Sequence, residues 1–100
     1  MSIVMSVIIP AYNAEQYIVP AIRSALSQSL EDIEVILIDD GSTDTTHEKA
    51  LALQCAKLKI IRQSNEGECA ARNTGIRVAR GKYIGFLDAD GTYPPEYFPQ

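Results

Sequence analysis

Apolar positions along this chain follow two alternating rhythms. Continuous runs at Ile3-Val4-Met5-Ser6-Val7-Ile8-Ile9, Ile33-Glu34-Val35-Ile36-Leu37-Ile38, Lys59-Ile60-Ile61-Arg62 and Lys82-Tyr83-Ile84-Gly85-Phe86-Leu87 predict strands, the first buried on both faces. Between them the spacing changes to three and four. Ile18, Ile22, Ala25 and Leu26 mark one face of a helix, with Pro20 in its first turn after an irregular turn over 14–17. A second helix follows the turn Gly41-Ser42-Thr43-Asp44, with Thr45 and Glu48 as a capping box and Ala50, Leu51, Cys55 and Leu58 as its stripe. The polar loop Ser64-Asn65-Glu66-Gly67 leads into a third helix, from Glu68 to about Ala79, whose face of Ala70, Ala71, Thr74, Gly75 and Val78 suits close packing on a sheet. Gly81 is expected as its left-handed cap, with Arg80 and Lys82 at the negative dipole end.

The order β-α-β-α-β-α-β with short connections implies right-handed crossovers and a parallel sheet covered on both faces. In such open sheets ligands bind beyond the carboxyl ends of the strands, where the strand order reverses. Three strand ends here are polar: Tyr12 and Asn13 after Pro10 and Ala11, then Asp39 and Asp40, then Asp88 and Asp90. An extended backbone points Asp88 and Asp90 the same way, and like charges so close call for a cation or a shared proton. Carboxylates with phosphate oxygens are the donor set that Mg²⁺ or Mn²⁺ accepts. The blander alternative is that these aspartates only cap their own turns, with Gly91 supplying a permissive φ.

Composition narrows the classes. One hundred residues, 46% hydrophobic and 22% charged, make one small globular domain. A net charge of −4 with nine scattered basic residues argues against a nucleic-acid partner. The first nine residues lack the basic start of a secretory signal, and no run reaches transmembrane length. Cys55 and Cys69 fit no metal spacing and read as small buried residues in a reducing compartment, so a cytoplasmic location is expected. His47 reads as a polar residue in the first turn of the second helix.

Four blocks, Val7-Ile8-Ile9-Pro10-Ala11-Tyr12-Asn13, Ile38-Asp39-Asp40-Gly41-Ser42-Thr43-Asp44, Ala71-Arg72-Asn73-Thr74-Gly75 and Phe86-Leu87-Asp88-Ala89-Asp90, together resemble the nucleotide-binding half of family-two inverting glycosyltransferases. The resemblance implies an α/β fold of A-type: a truncated, Rossmann-like three-layer sandwich with a mainly parallel sheet in the order three, two, one, four, of the nucleotide-diphospho-sugar transferase type. Residues 1–100 would form the donor-binding half, with the acceptor half absent and the general base beyond residue 100. It further implies a nucleoside-diphosphate sugar as donor, a UDP-sugar first, and Mn²⁺ or Mg²⁺ as cofactor. Pro10, Ala11 and Tyr12 would line the base and ribose site, Asp39 would hold the base edge with Asp40 beside it, and Arg72 and Ala89 would be further donor contacts. Asp88 would approach the ribose or sugar and share with Asp90 the metal bridging the diphosphate. Gly91 departs from the family, whose members often carry a third acidic residue there. The parent would transfer sugar to a saccharide or lipid-linked acceptor, with an association to the inner face of the membrane. The edge strand 82–87 and the aromatic, proline-rich tail 92–100 suggest self-association of the isolated half. Two other classes stay open: a non-catalytic nucleotide- or metal-binding module, and a phosphoacceptor receiver domain. A receiver needs a late-strand Lys and a lone acceptor Asp in mid-chain, and neither is found.

Overall fold

The computed structural model describes residues 3–28 and 32–89. The elements run β1 (Met5–Ala11), α1 (Ile18–Leu26), β2 (Ile33–Asp39), α2 (Thr46–Leu51), β3 (Leu58–Arg62), α3 (Glu68–Val78) and β4 (Tyr83–Phe86). All four strands are parallel, in the order β3-β2-β1-β4. The expected α/β architecture and strand order are therefore present.

The alternation along β1 and β2 divides the interior into two layers. Val7, Ile9, Ile33, Val35 and Leu37 face α1 and α2, packing on Ile18, Ile22 and Ala50; Ile8, Ile36 and Ile38 face α3 and meet Ala71. Both central strands are mainly apolar, interrupted at Ser6 and Glu34, because neither face sees water. Pro10 belongs to β1 rather than to a following loop. It is tolerated in a central strand because the β4 ladder has ended below it, its last rung pairing Ile8 with Phe86.

Close approach is bought by glycine at two places. A Cβ on Gly75 would lie 2.5 Å from Ile8 Cγ2, so α3 sits directly on β1. A Cβ on Gly81 would lie 2.5 Å from the Ser6 amide nitrogen. Gly81 is thus a contact residue and not the expected left-handed cap: its φ is not positive, and α3 ends instead at Ala79 in extended conformation. Around it lies a buried polar cluster at the amino end of the sheet. Glu34 Oε2 accepts from the Ser6 hydroxyl at 2.6 Å and the Arg80 amide at 2.7 Å, Oε1 pairs with Lys59 Nζ at 3.1 Å, and Ser6 Oγ accepts from the Gly81 amide at 2.8 Å. Burial pushes the Glu34 carboxyl up, but these donors outweigh it and hold the group below its ordinary range. The cluster ties the entry of β4 to β1 and β2 across 75 residues of sequence.

Three local expectations are corrected. The second helix is only one and a half turns: Cys55 lies in the loop after it, Leu58 opens β3, and Leu51 is exposed. Gln54, at φ 46°, turns the chain away. No Thr45–Glu48 capping box forms; Asp44 Oδ1 accepts from the Thr46 amide at 2.9 Å instead. Cys69 is exposed and Cys55 half-buried, so neither is a core residue.

Candidate active site

At the carboxyl ends of β1, β2 and β4 the sheet opens into a cavity of about 510 Å³. β1 supplies Pro10 and Ala11 and runs straight into Tyr12, Asn13 and Ala14; Asp40 follows β2 directly; β4 runs into Asp88 and Ala89; α3 closes the wall with Glu68 and Ala71. Tyr17, at the start of α1, completes it. Tyr12 and Tyr17 are each about half exposed, leaving two aromatic side chains open at the cavity.

The loop after β1 is stitched to the loop after β2. Asn13, in left-handed conformation at φ 51°, accepts from the Thr43 amide at 2.8 Å through its side-chain oxygen and donates its own amide to Ser42 Oγ at 2.9 Å. Next to it the Ala14 amide donates to Thr46 Oγ1 at 2.9 Å, and that hydroxyl donates to Asp44 Oδ1 at 2.5 Å. Asp44 is partly desolvated, which raises its pKa, yet the Thr46 hydroxyl and amide and the Glu15 amide hold it below its ordinary range. Ser42, Thr43 and Asp44 therefore serve architecture, holding the cavity wall in shape.

The two adjacent aspartates have different surroundings. Asp39 has no exposed surface and does not line the cavity. Its Oδ1 accepts from the Ser42 amide at 3.0 Å, while Oδ2 lies 3.5 Å from His47 Nδ1 and 3.6 Å from Arg62 Nε without a hydrogen bond to either. Arg62 in turn donates to the Ser42 carbonyl at 2.7 Å. Asp40 faces the cavity. Its Oδ1 accepts from Gln63 Nε2 at 2.9 Å and the Glu66 amide at 3.0 Å, and Oδ2 accepts from the Gly67 amide at 2.9 Å. Desolvation raises its pKa, but those three donors prevail, and the carboxyl is held ionised below its usual range.

Across the cavity Asp88 is exposed, 3.7 Å from Arg72 Nη2. Arg72 is also paired with Glu68 one turn before it and lies over the Phe86 ring at 5.8 Å. It stands behind two lining residues rather than on the wall itself. Asp90 lies outside the described residues, and among the described residues no group of three His, Cys, Asp or Glu side chains could hold a metal. One accessible carboxylate beside an open cavity still fits a hard divalent ion, since Mg²⁺ commonly takes one or two carboxylates and fills its shell with water and ligand phosphates.

Of the residues singled out from sequence, Pro10, Ala11, Tyr12, Asp40, Asp88 and Ala89 are brought together on the cavity. Asp39 and Arg72 stand behind it. Sequence reasoning missed Ala14, Tyr17, Glu68 and Ala71 as lining residues. Tyr17 left one usable trace: a large aromatic beside Ile18, off the apolar face of α1, has no reason to be there for packing.

Comparison with known proteins places this geometry. The glycosyl transferase family 2 pattern matches residues 6–100. The uncharacterized glycosyltransferase EpsJ of Bacillus subtilis is 49% identical over 88 residues, covering 86% of this chain and 26% of its own length. Chondroitin synthase of Escherichia coli is 44% identical over 95 residues, 92% of this chain but 14% of that protein. Among solved structures, TarS 1-349 of S. aureus in complex with UDP-GlcNAc superimposes with a TM-score of 0.87 at 32% identity, over 93% of this chain and 28% of that one. Mannosyltransferase PcManGT from Pyrobaculum calidifontis, solved with GDP-Man and Mn²⁺, superimposes with a TM-score of 0.82 at 27% identity, over 94% of this chain and 29% of that one. The chain thus spans under a third of each of these relatives, and the region it covers carries the α/β fold of A-type glycosyltransferases. On sequence and structure alike, this chain belongs to glycosyltransferase family 2.

Proposed function

We propose that residues 1–100 form the donor-binding half of an inverting glycosyltransferase, taking a nucleoside-diphosphate sugar, a UDP-sugar first, together with Mn²⁺ or Mg²⁺. The observation that carries this reading is Asp40: an ionised carboxylate fixed by three donors at the wall of a cavity that Tyr12 and Tyr17 also line. A fixed carboxylate accepts the N–H of a uracil edge, and Tyr12 stacks on the base face. The base edge is therefore assigned to Asp40, with Asp39 as the buried support of the turn that presents it. Pro10 and Ala11 shape the ribose side, and Arg72 acts through Glu68 and Asp88. Support comes from the two solved relatives, one holding UDP-GlcNAc and the other GDP-Man with Mn²⁺.

Asp88, with Asp90, would hold the cation, which when bound neutralises charge growing on the leaving diphosphate. The base that deprotonates the acceptor hydroxyl, and the saccharide or lipid-linked acceptor itself, are assigned to the part of the protein that this chain does not span. A cytoplasmic location and self-association through β4, whose Tyr83, Ile84 and Phe86 are exposed, belong to the same reading. Calorimetry of UDP with and without Mn²⁺ tests it. Asp40→Asn should weaken UDP at least tenfold, as expected for a hydrogen bond to a charged group, and Asp88→Asn should remove the Mn²⁺ dependence. UDP affinity indifferent to both Mn²⁺ and Asp40→Asn would sink the reading.

A further inference from the structure

The carboxylate of Asp40 is the end of a longer hydrogen-bonded chain. Gln63 Nε2 donates to Asp40 Oδ1 at 2.9 Å, Thr74 Oγ1 donates to Gln63 Oε1 at 2.7 Å, and Arg77 Nη2 donates to Thr74 Oγ1 at 3.2 Å. Each link has only one workable polarity. An ionised carboxylate accepts and cannot donate, so the Gln63 amide must turn its NH₂ toward Asp40 and its oxygen away. That oxygen needs a donor, which obliges the Thr74 hydroxyl to point its proton at Gln63 rather than at the Ala70 carbonyl, also within reach at 3.0 Å. The Thr74 oxygen is then left to accept, and the positive Arg77 is the donor it receives. A cation at one end, a carboxylate at the other and aligned dipoles between reinforce one another. Gln63 and Thr74 are partly buried and are not cavity-lining residues.

We propose that Gln63 and Thr74 are positioning residues for nucleobase recognition, holding the Asp40 carboxylate in the orientation that meets the base edge through a one-way relay that starts on the outer turn of α3. The inference rests on the nucleotide-binding reading above and adds the residues that set its specificity. The Glu66 and Gly67 amides hold one oxygen each, Oδ1 and Oδ2, and the Gln63 amide is a second donor on Oδ1, so that turning the carboxylate about its Cβ–Cγ bond must break the Gln63 bond as well. A base presents its N–H along one direction only, so twist is converted into affinity for the base and not for the rest of the nucleotide.

The test separates base recognition from phosphate binding. In the full-length protein with saturating Mn²⁺, affinities for UDP and for base-free ribose 5-diphosphate are measured for wild type, Thr74→Val, Thr74→Ser and Gln63→Leu. UDP should weaken roughly three- to tenfold in Thr74→Val and more in Gln63→Leu, while ribose 5-diphosphate changes less than twofold, since the lost bond contributes only to base binding. Thr74→Ser keeps the hydroxyl and should restore UDP affinity. Equal weakening of both ligands in Thr74→Val and Gln63→Leu, or Thr74→Ser behaving like Thr74→Val, would overturn the relay. Wild type that binds ribose 5-diphosphate as tightly as UDP would overturn the base contact and the relay with it. Absence of UDP binding by wild type would instead refute the function on which the relay rests.

Discussion

Replacing Gly75 by alanine sets two rules against each other. In the middle of a helix, alanine is favoured over glycine by about 1 kcal/mol, so propensity alone predicts stabilisation. Gly75, however, lies against Ile8, and the new Cβ would meet Cγ2 at 2.5 Å and both Cγ1 and Cδ1 at 3.1 Å. Comfortable carbon contacts begin near 3.5 Å, so the gap must widen by about 1 Å. Three of the Ile8 side-chain carbons crowd the position, and β-branching restricts the rotation about χ1 that would move them. Ile8 itself is fully buried in a central strand and cannot retreat. Helix α3 must lift instead, and overpacking of this kind costs about 1–3 kcal/mol. The net expectation is a loss of about 1 kcal/mol, seen as a lower urea midpoint at unchanged slope. In an Ile8→Ala background the obstacle is gone, and Gly75→Ala should become neutral or stabilising by up to about 1 kcal/mol. A raised midpoint for Gly75→Ala in the wild-type background would refute the argument.

Other outcomes follow from the same contacts. Gly81→Ala should push Ser6 off Glu34 and loosen β4, read as faster amide exchange at Tyr83 and Leu87 than at Val35. Glu34, Asp40 and Asp44 all have folded pKa values below those of the unfolded chain, so their stabilisation is complete above the ordinary carboxyl values, 4.5 for Glu and 3.8 for Asp, and is lost as pH falls through the lowered ones. Stability measured against pH should be flat near neutrality and fall below about pH 4, and Glu34→Gln should flatten that fall. Cys69 should react with a thiol reagent well before Cys55, as mass spectrometry of a timed quench would show; equal rates would contradict their difference in exposure.

Much of this fold was legible because periodicity is a strong signal when both faces of a strand are dry. Val35 to Ile38 admit no other reading, and Gly75 and Ala71 announced a helix pressed on a sheet. What escaped was decided by partners far away in sequence. Glu34 stands inside a strand-like run with no local sign of its partners, Ser6, Lys59 and Arg80. The role of Gly81 depended on Ser6, not on its own φ. At the site, sequence pointed to the pair Asp39-Asp40 but not to the division of labour within it, since successive residues at a strand end face different surroundings and only the fold reveals which side holds the cavity. Tyr17 and Glu68 came into the site through the start of a helix, where the sequence showed only a turn and a first-turn acid.

The stitch between the first two loops has a consequence for which substitutions the chain can tolerate. Position 13 must satisfy two demands at once: a left-handed backbone, and a short side-chain acceptor aimed at the Thr43 amide. Glycine meets the first and not the second, and valine or isoleucine meets neither; asparagine meets both, with aspartate its nearest substitute. At position 43 the main requirement is a backbone amide, which every residue but proline supplies, the hydroxyl adding only a longer contact of 3.3 Å. One end of the same bond is therefore strict and the other permissive. A saturation library of the chain should record that asymmetry as a nearly empty column at Asn13 facing a nearly full one at Thr43.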